Sequence, residues 1–137
     1  MSERKILVVD DEVEVRSVFQ RAFERGGYTV RTAAGGEEAL QILESESIQV
    51  MFFDLVMPGM NGVELCSEIR KTSPMAVIHA VTGYSSLLDA SGDGKSGFDH
   101  YYIKPVKVEV LLAAADAAFK KVDLWRESRA PIFPIAP

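Results

Sequence analysis

Val50-Met51-Phe52-Phe53 is an unbroken apolar run that stops abruptly at a carboxylate, Asp54. A strand with one face in water alternates polar and apolar side chains, so a run with no polar member has to be covered on both faces. This requirement constrains the chain more than any other feature, and it recurs. Lys5 to Val9, apolar after its first residue, ends in Asp10-Asp11-Glu12. Ala76-Val77-Ile78-His79-Ala80-Val81 ends at Thr82-Gly83. Thr29 to Ala33 alternates as a less buried strand, and the short run Tyr101-Tyr102-Ile103 ends in Lys104-Pro105.

Helical patterns lie between these runs. Val15, Val18, Phe19, Ala22 and Phe23 recur at helical spacing, and Gly26-Gly27 ends that helix. Glu37-Glu38 place negative charge where the dipole of a second helix, running to about Glu46, favours it. Pro58-Gly59 marks a turn, and Asn61-Gly62 opens a third helix with Leu65, Cys66 and Ile69 facing inward, which Ser73-Pro74 ends. Val108, Leu111, Leu112, Ala115, Phe119 and Val122 draw an amphipathic stripe along a last helix, from about Lys107 to Glu127. Between Tyr84 and His100, Leu87, Leu88 and Phe98 offer apolar contacts. Gly92, Gly94 and Gly97 oppose a helix there, each costing roughly 1 kcal/mol against alanine. The expectation is a short helix after Tyr84, broken before Lys95 and followed by a loop. One domain over residues 1–128 results, with a proline-spaced tail, 129–137, that carries Ile132, Phe133 and Ile135.

Five strand-then-helix units predict a parallel sheet with helices on both faces, a three-layer α/β/α domain. Parallel strands all end at one edge. That edge collects Asp10 and Asp11 from the first strand, Asp54 from the third, Thr82 from the fourth and Lys104 from the fifth. Neighbouring carboxylates repel and raise one another's pKa unless a cation sits among them. Mg²⁺, which takes one or two carboxylates and completes its shell with water and phosphate oxygen, fits such a group best. With an ammonium and a hydroxyl beside it, the cluster suits stabilisation of a phosphoryl group in transfer to a carboxylate.

Composition excludes several classes. The net charge of −5 comes with no basic cluster, which argues against nucleic-acid binding by this chain. No apolar run approaches the roughly 20 residues of a membrane span, and MSERK lacks the apolar region of a secretion signal. Cys66 is the one cysteine, which fits a reducing, cytoplasmic setting and reads as a small core residue. His79 reads as packed core, His100 as a loop residue, Trp125 as packing, and Tyr102 as facing opposite to Tyr101 by strand alternation.

The segments Val8-Val9-Asp10-Asp11-Glu12, Phe53-Asp54-Leu55-Val56-Met57-Pro58-Gly59-Met60-Asn61-Gly62, Val81-Thr82-Gly83 and Tyr101-Tyr102-Ile103-Lys104-Pro105 together resemble the receiver domain of two-component response regulators. The likeness runs from Lys5 to about Lys121. It implies a flavodoxin-like fold of strand order 2-1-3-4-5, with the site at the switch between the first and third strands. It also implies that Asp54 accepts a phosphoryl group from a histidine kinase or histidine phosphotransfer protein. Asp10, Asp11, Asp54 and the Val56 carbonyl would then hold Mg²⁺, Lys104 would pair with phosphoryl oxygens, and Thr82 and Tyr101 would act as the switch. A cis Lys104-Pro105 bond is implied as well. By the same resemblance Val56 and Tyr84 flank the approach of hydrolytic water; Val56 cannot orient it and Tyr84 can screen it, so slow loss of the phosphoryl group is expected. The chain would catalyse only its own phosphorylation and dephosphorylation and signal to a downstream protein. Its glycine-rich match to the family's fourth helix departs from the usual signalling face. Two other readings compete: a degenerate receiver serving as a docking module, and a phosphatase working through an aspartyl phosphate. The second lacks an acid, because Val56 stands where such enzymes of the haloacid dehalogenase type carry one.

Overall fold

A computed structural model describes residues 3–83 and 97–129, with side chains through residue 127. The fully apolar run Val50–Phe53 forms β3 at the centre of a five-stranded parallel sheet. Around it lie β1 (Lys5–Val9), β2 (Thr29–Ala33), β4 (Val77–Thr82) and β5 (His100–Ile103), in the order β2-β1-β3-β4-β5. Helices α1 (Val13–Arg25), α2 (Gly36–Ser45), α3 (Gly62–Thr72) and α4 (Val108–Arg129) connect or follow the strands. Adjacent registers, such as Val9↔Phe53 and Phe53↔Ala80, bring the strand ends level.

Side chains alternate across the pleat, so each central strand feeds two cores. Leu7, Val9, Met51, Phe53 and Ile78 meet α2 and α3 through Ala39, Leu65, Cys66 and Ile69. Ile6, Val8, Phe52, Val77 and Val81 meet α1 and α4 through Phe19, Phe23, Leu111, Ala115 and Phe119. Full burial of a side chain such as Phe23 contributes about 1.5–3 kcal/mol. Tyr101 packs with the first core and Tyr102 with the second, the opposition that strand alternation predicts.

Local chemistry sets the helix ends. Asn61 caps α3: its side chain accepts from the Glu64 amide at 2.8 Å, while Glu64 accepts from the Asn61 amide at 3.0 Å. Such a reciprocal box satisfies two otherwise orphaned donors. At the end of α1, Gly27 takes φ +91°, the left-handed region that glycine enters without cost.

Three expectations change. His100 is not in a loop: it opens β5 in register with His79, and their rings stack at 5.6 Å. Val18 and Val108 are 50% and 42% exposed and do not belong to the core. The sheet covers only a strip of each helix, and these valines fall outside it, on a shallow groove between α1 and α4. The small residues Ala114, Ala115 and Ala118 make much of α4's close approach instead. The short helix expected after Tyr84, Tyr84 itself and the tail from Ala130 lie outside the described residues.

One polar cluster has no counterpart among the sequence motifs. Arg70, at the end of α3, donates from Nε and Nη2 to the Gly97 carbonyl at 3.0 and 2.6 Å and from Nη2 to Asp99 at 2.9 Å. Its Nη1 donates to the carbonyls of Pro74 and Ala76. Asp99 also accepts from the Ile78 amide at 2.8 Å and from Lys121 of α4 at 3.3 Å. The cluster ties the starts of β4 and β5 to two helices.

Candidate functional site

The site residues are pinned because the sheet ladder continues one residue beyond each strand. Asp10 N–H donates to Ala33 O at 3.1 Å, Asp54 N–H to Val9 O at 2.9 Å, and Lys104 N–H to Thr82 O at 2.8 Å. Each side chain therefore leaves the sheet edge from a fixed backbone. Asp10, Asp54 and Thr82 are buried, whereas Asp11 is exposed.

Lys104 Nζ bridges two carboxylates, donating to Asp10 at 2.8 Å and to Asp54 at 3.2 Å. Each of Asp10, Asp11 and Asp54 offers an oxygen, and these three oxygens lie within 4.8 Å of one another. The remaining contacts fix orientation. Asp10 accepts from the Glu12 amide at 2.9 Å, and Asp54 from the Val56 amide at 3.2 Å. Arg16 donates to the Asp10 carbonyl at 2.8 Å, holding the turn into α1. The peptide between Lys104 and Pro105 is cis.

Burial raises the pKa of Asp54, and the charge of Asp10 adds to that. The Val56 amide and Lys104 oppose it without cancelling it. Burial acts to lower the Lys104 ammonium, but the hydrogen bonds and charges of Asp10 and Asp54 outweigh burial and hold it above its ordinary value. The lysine therefore stays charged between Asp10 and Asp54, and the Asp11 carboxylate completes the acidic group. An all-oxygen donor set of this kind suits a small hard cation.

Thr82 ends β4 and Tyr101 lies on the neighbouring strand, where its ring meets Phe98 at 5.9 Å. Phe98 in turn meets Phe53 at 6.4 Å, and Phe53 precedes Asp54 in sequence. An aromatic path thus joins β3 to Tyr101. The Val56 side chain is 41% exposed, outside the core. Cys66 is buried, and burial raises its thiol pKa, as expected of an inert core cysteine. Of the residues in this region, Arg16 escaped the sequence reading, and Glu12 was read only as one of three successive acids. An arginine near the start of a helix carries no signal that its partner is the backbone carbonyl of a buried aspartate.

A doubly wound parallel sheet whose acids converge outside its strand ends, at the switch between the paired strands β1 and β3, places them where such sheets bind ligands. This chain belongs to the response regulator receiver domain family, whose model matches residues 6–116. It is a phosphorylatable, CheY-like receiver domain of two-component signalling. A probable transcriptional regulator ycf27 of Porphyridium aerugineum is 36% identical over 123 residues, covering 90% of this chain and 51% of that protein. The chain thus spans about half the length of the curated relatives it matches. A receiver domain protein from Clostridium thermocellum superposes with a TM-score of 0.81 at 33% identity, covering 88% of this chain and 98% of that one. TrrA from Thermotoga maritima, solved in complex with Mg²⁺-BeF, gives 0.76 at 32% identity, covering 84% and 98%.

Proposed function

We propose that Asp54 is the phosphoacceptor of this receiver and that Mg²⁺ is its metal. The observation that carries the reading is the Lys104 ammonium set between Asp10 and Asp54, with three carboxylate oxygens clustered within 4.8 Å. An Asp54 oxygen attacks phosphorus and forms the acyl phosphate. The P–N bond of a phosphohistidine on a histidine kinase or phosphotransfer protein breaks, and its electron pair returns to the imidazole. Asp10, Asp11, Asp54 and the Val56 carbonyl would hold Mg²⁺, which would supply positive charge to offset that of the transferring group. Lys104 then exchanges a carboxylate for a phosphoryl oxygen. Thr82 hydrogen-bonds the phosphoryl group, and Tyr101 follows it through its contact with Phe98. The unit that does this is residues 1–128. A downstream protein reads the switched surface, and residues 129–137 are a proline-spaced tail in sequence.

Acetyl phosphate with Mg²⁺ supplies the test. Intact mass spectrometry should show one phosphoryl gain on the wild type and none on Asp54→Ala; equal gains would refute the assignment. Val56, two residues beyond Asp54, has no polar atom on its side chain to orient an attacking water, so decay is slow. After donor removal, Val56→Asn should therefore lose the added mass faster than the wild type.

A further inference from the structure

Gly62 is the first residue of α3, yet glycine is among the poorest helix formers, costing about 1 kcal/mol against alanine. Its conformation does not demand glycine, since the described positive-φ glycines are Gly27, Gly59 and Gly97. Space does. A Cβ built on Gly62 would collide with the Asp54 carbonyl oxygen and lie 3.0 Å from Leu55 Cα and 3.1 Å from the Asp54 carbonyl carbon. The Gly62 amide meanwhile donates to Leu55 O at 3.0 Å. Backbone thus lies directly on backbone, and no side chain is available to bend out of the way.

We propose that Gly62 is a positioning residue for phosphoryl transfer. Its missing Cβ lets the turn Asp54–Val56 seat against α3, and this seat aims the Asp54 carboxylate. The inference rests on Asp54 being the acceptor. When a Cβ is added, either α3 or the turn has to yield. Leu65, Cys66 and Ile69 anchor α3 in the core, and the Asn61–Glu64 box fixes its first turn. The turn is held by Asp54 N–H to Val9 O, by Val56 N–H to the Asp54 carboxylate and by buried Leu55. The clash falls on the Asp54 carbonyl and Leu55 themselves, so relieving it shifts the peptide next to the Asp54 side chain, and with it the 3.2 Å contact between Asp54 and Lys104.

The experiment is the rate constant of Asp54 modification by saturating acetyl phosphate and Mg²⁺ in Gly62→Ala, with the folded fraction measured in the same buffer. A misplacement approaching 1 Å at a reacting group costs about 100-fold. The expected result is a 10- to 100-fold slower rate constant and a higher half-saturating Mg²⁺ concentration. Gly35→Ala, whose Cβ would meet nothing within 4 Å, should keep the wild-type rate constant. Ile69→Val, which weakens the same helix away from the turn, should keep it too. If Gly62→Ala is unfolded, trimethylamine N-oxide is added to restore the fold, and the rate constant should remain low. Wild-type rate and Mg²⁺ dependence in folded Gly62→Ala would overturn the proposal. A wild type that gains no mass, or an Asp54→Ala variant that gains as much, would instead remove the acceptor reading on which it depends.

Discussion

His79 sits inside β4, 1% exposed, with its ring stacked on Phe52 at a centroid distance of 4.1 Å. Its Nδ1 lies 2.9 Å from the Met51 carbonyl. A carbonyl can only accept, so Nδ1 carries the proton. Burial lowers the imidazole pKa from 6.5 to about 4, with the nearby charge of His100 adding and the Met51 hydrogen bond opposing. The sign follows from linkage: the unfolded chain binds this proton more readily, so His79 favours folding fully above pH 6.5. That contribution is lost as pH falls toward about 4. The full shift corresponds to about 3 kcal/mol, of which about 2 kcal/mol should disappear between pH 7 and pH 5. Urea unfolding at the two pH values should show the loss in the wild type and a smaller one in His79→Phe. Equal losses would mean that other groups dominate the acid limb. Its place within an apolar run already marked His79 as a core residue, whereas the depth of its pKa shift depends on neighbours from β3 and β5.

At the scale of elements, the strands could be read from the sequence because their apolar runs are local, and the site residues because each ends such a run. Asp10, Asp54 and Lys104 carried a signal of position. Arg70 carried none: it is one charged residue in the last turn of a helix, and Gly97 and Asp99, 27 and 29 residues away, become its partners only after folding. The same non-locality hid the demand for space at Gly62 and the place of His100 in an edge strand. Arg70→Met should cost about 3 kcal/mol, since it strands carbonyl acceptors and half-buries the Asp99 charge with fewer partners. Chemical denaturation at pH 7 measures this, and a loss below about 1 kcal/mol would reduce Arg70 to a surface residue. Burial acts to raise the Asp99 pKa, but the Ile78 amide, Arg70 and Lys121 outweigh it and hold the pKa below the ordinary value. The stabilisation is therefore present at neutral pH and lost as pH falls through that lowered value. The difference between wild type and Arg70→Met should shrink accordingly in acid.

For the whole molecule, strand order decides where charge accumulates. Because β1 and β3 are neighbours and every strand points the same way, Asp10, Asp11 and Asp54 are brought to one edge, where Lys104 bridges Asp10 and Asp54. The raised pKa of Asp54 has a definite sign: a carboxyl more easily protonated in the fold than in the unfolded chain destabilises the fold while it is ionised. The domain therefore carries a built-in strain at its functional edge, of the kind that trades stability for activity. A cation bound only by the folded state should relieve it. At ten times its dissociation constant, Mg²⁺ should add about 1.4 kcal/mol, and the thermal midpoint of a domain this size should rise by about 5 °C. NaCl matched in ionic strength should not reproduce the rise, since it screens without occupying the cluster. Asp10→Asn should abolish the Mg²⁺ effect, and Asp54→Asn should unfold at a higher temperature than the wild type when no divalent cation is present. Calorimetry of the three proteins with and without Mg²⁺ distinguishes the outcomes. Equal Mg²⁺ shifts in wild type and Asp10→Asn would show that the cation acts elsewhere, and an Asp54→Asn midpoint at or below the wild type would show that the cluster is not strained.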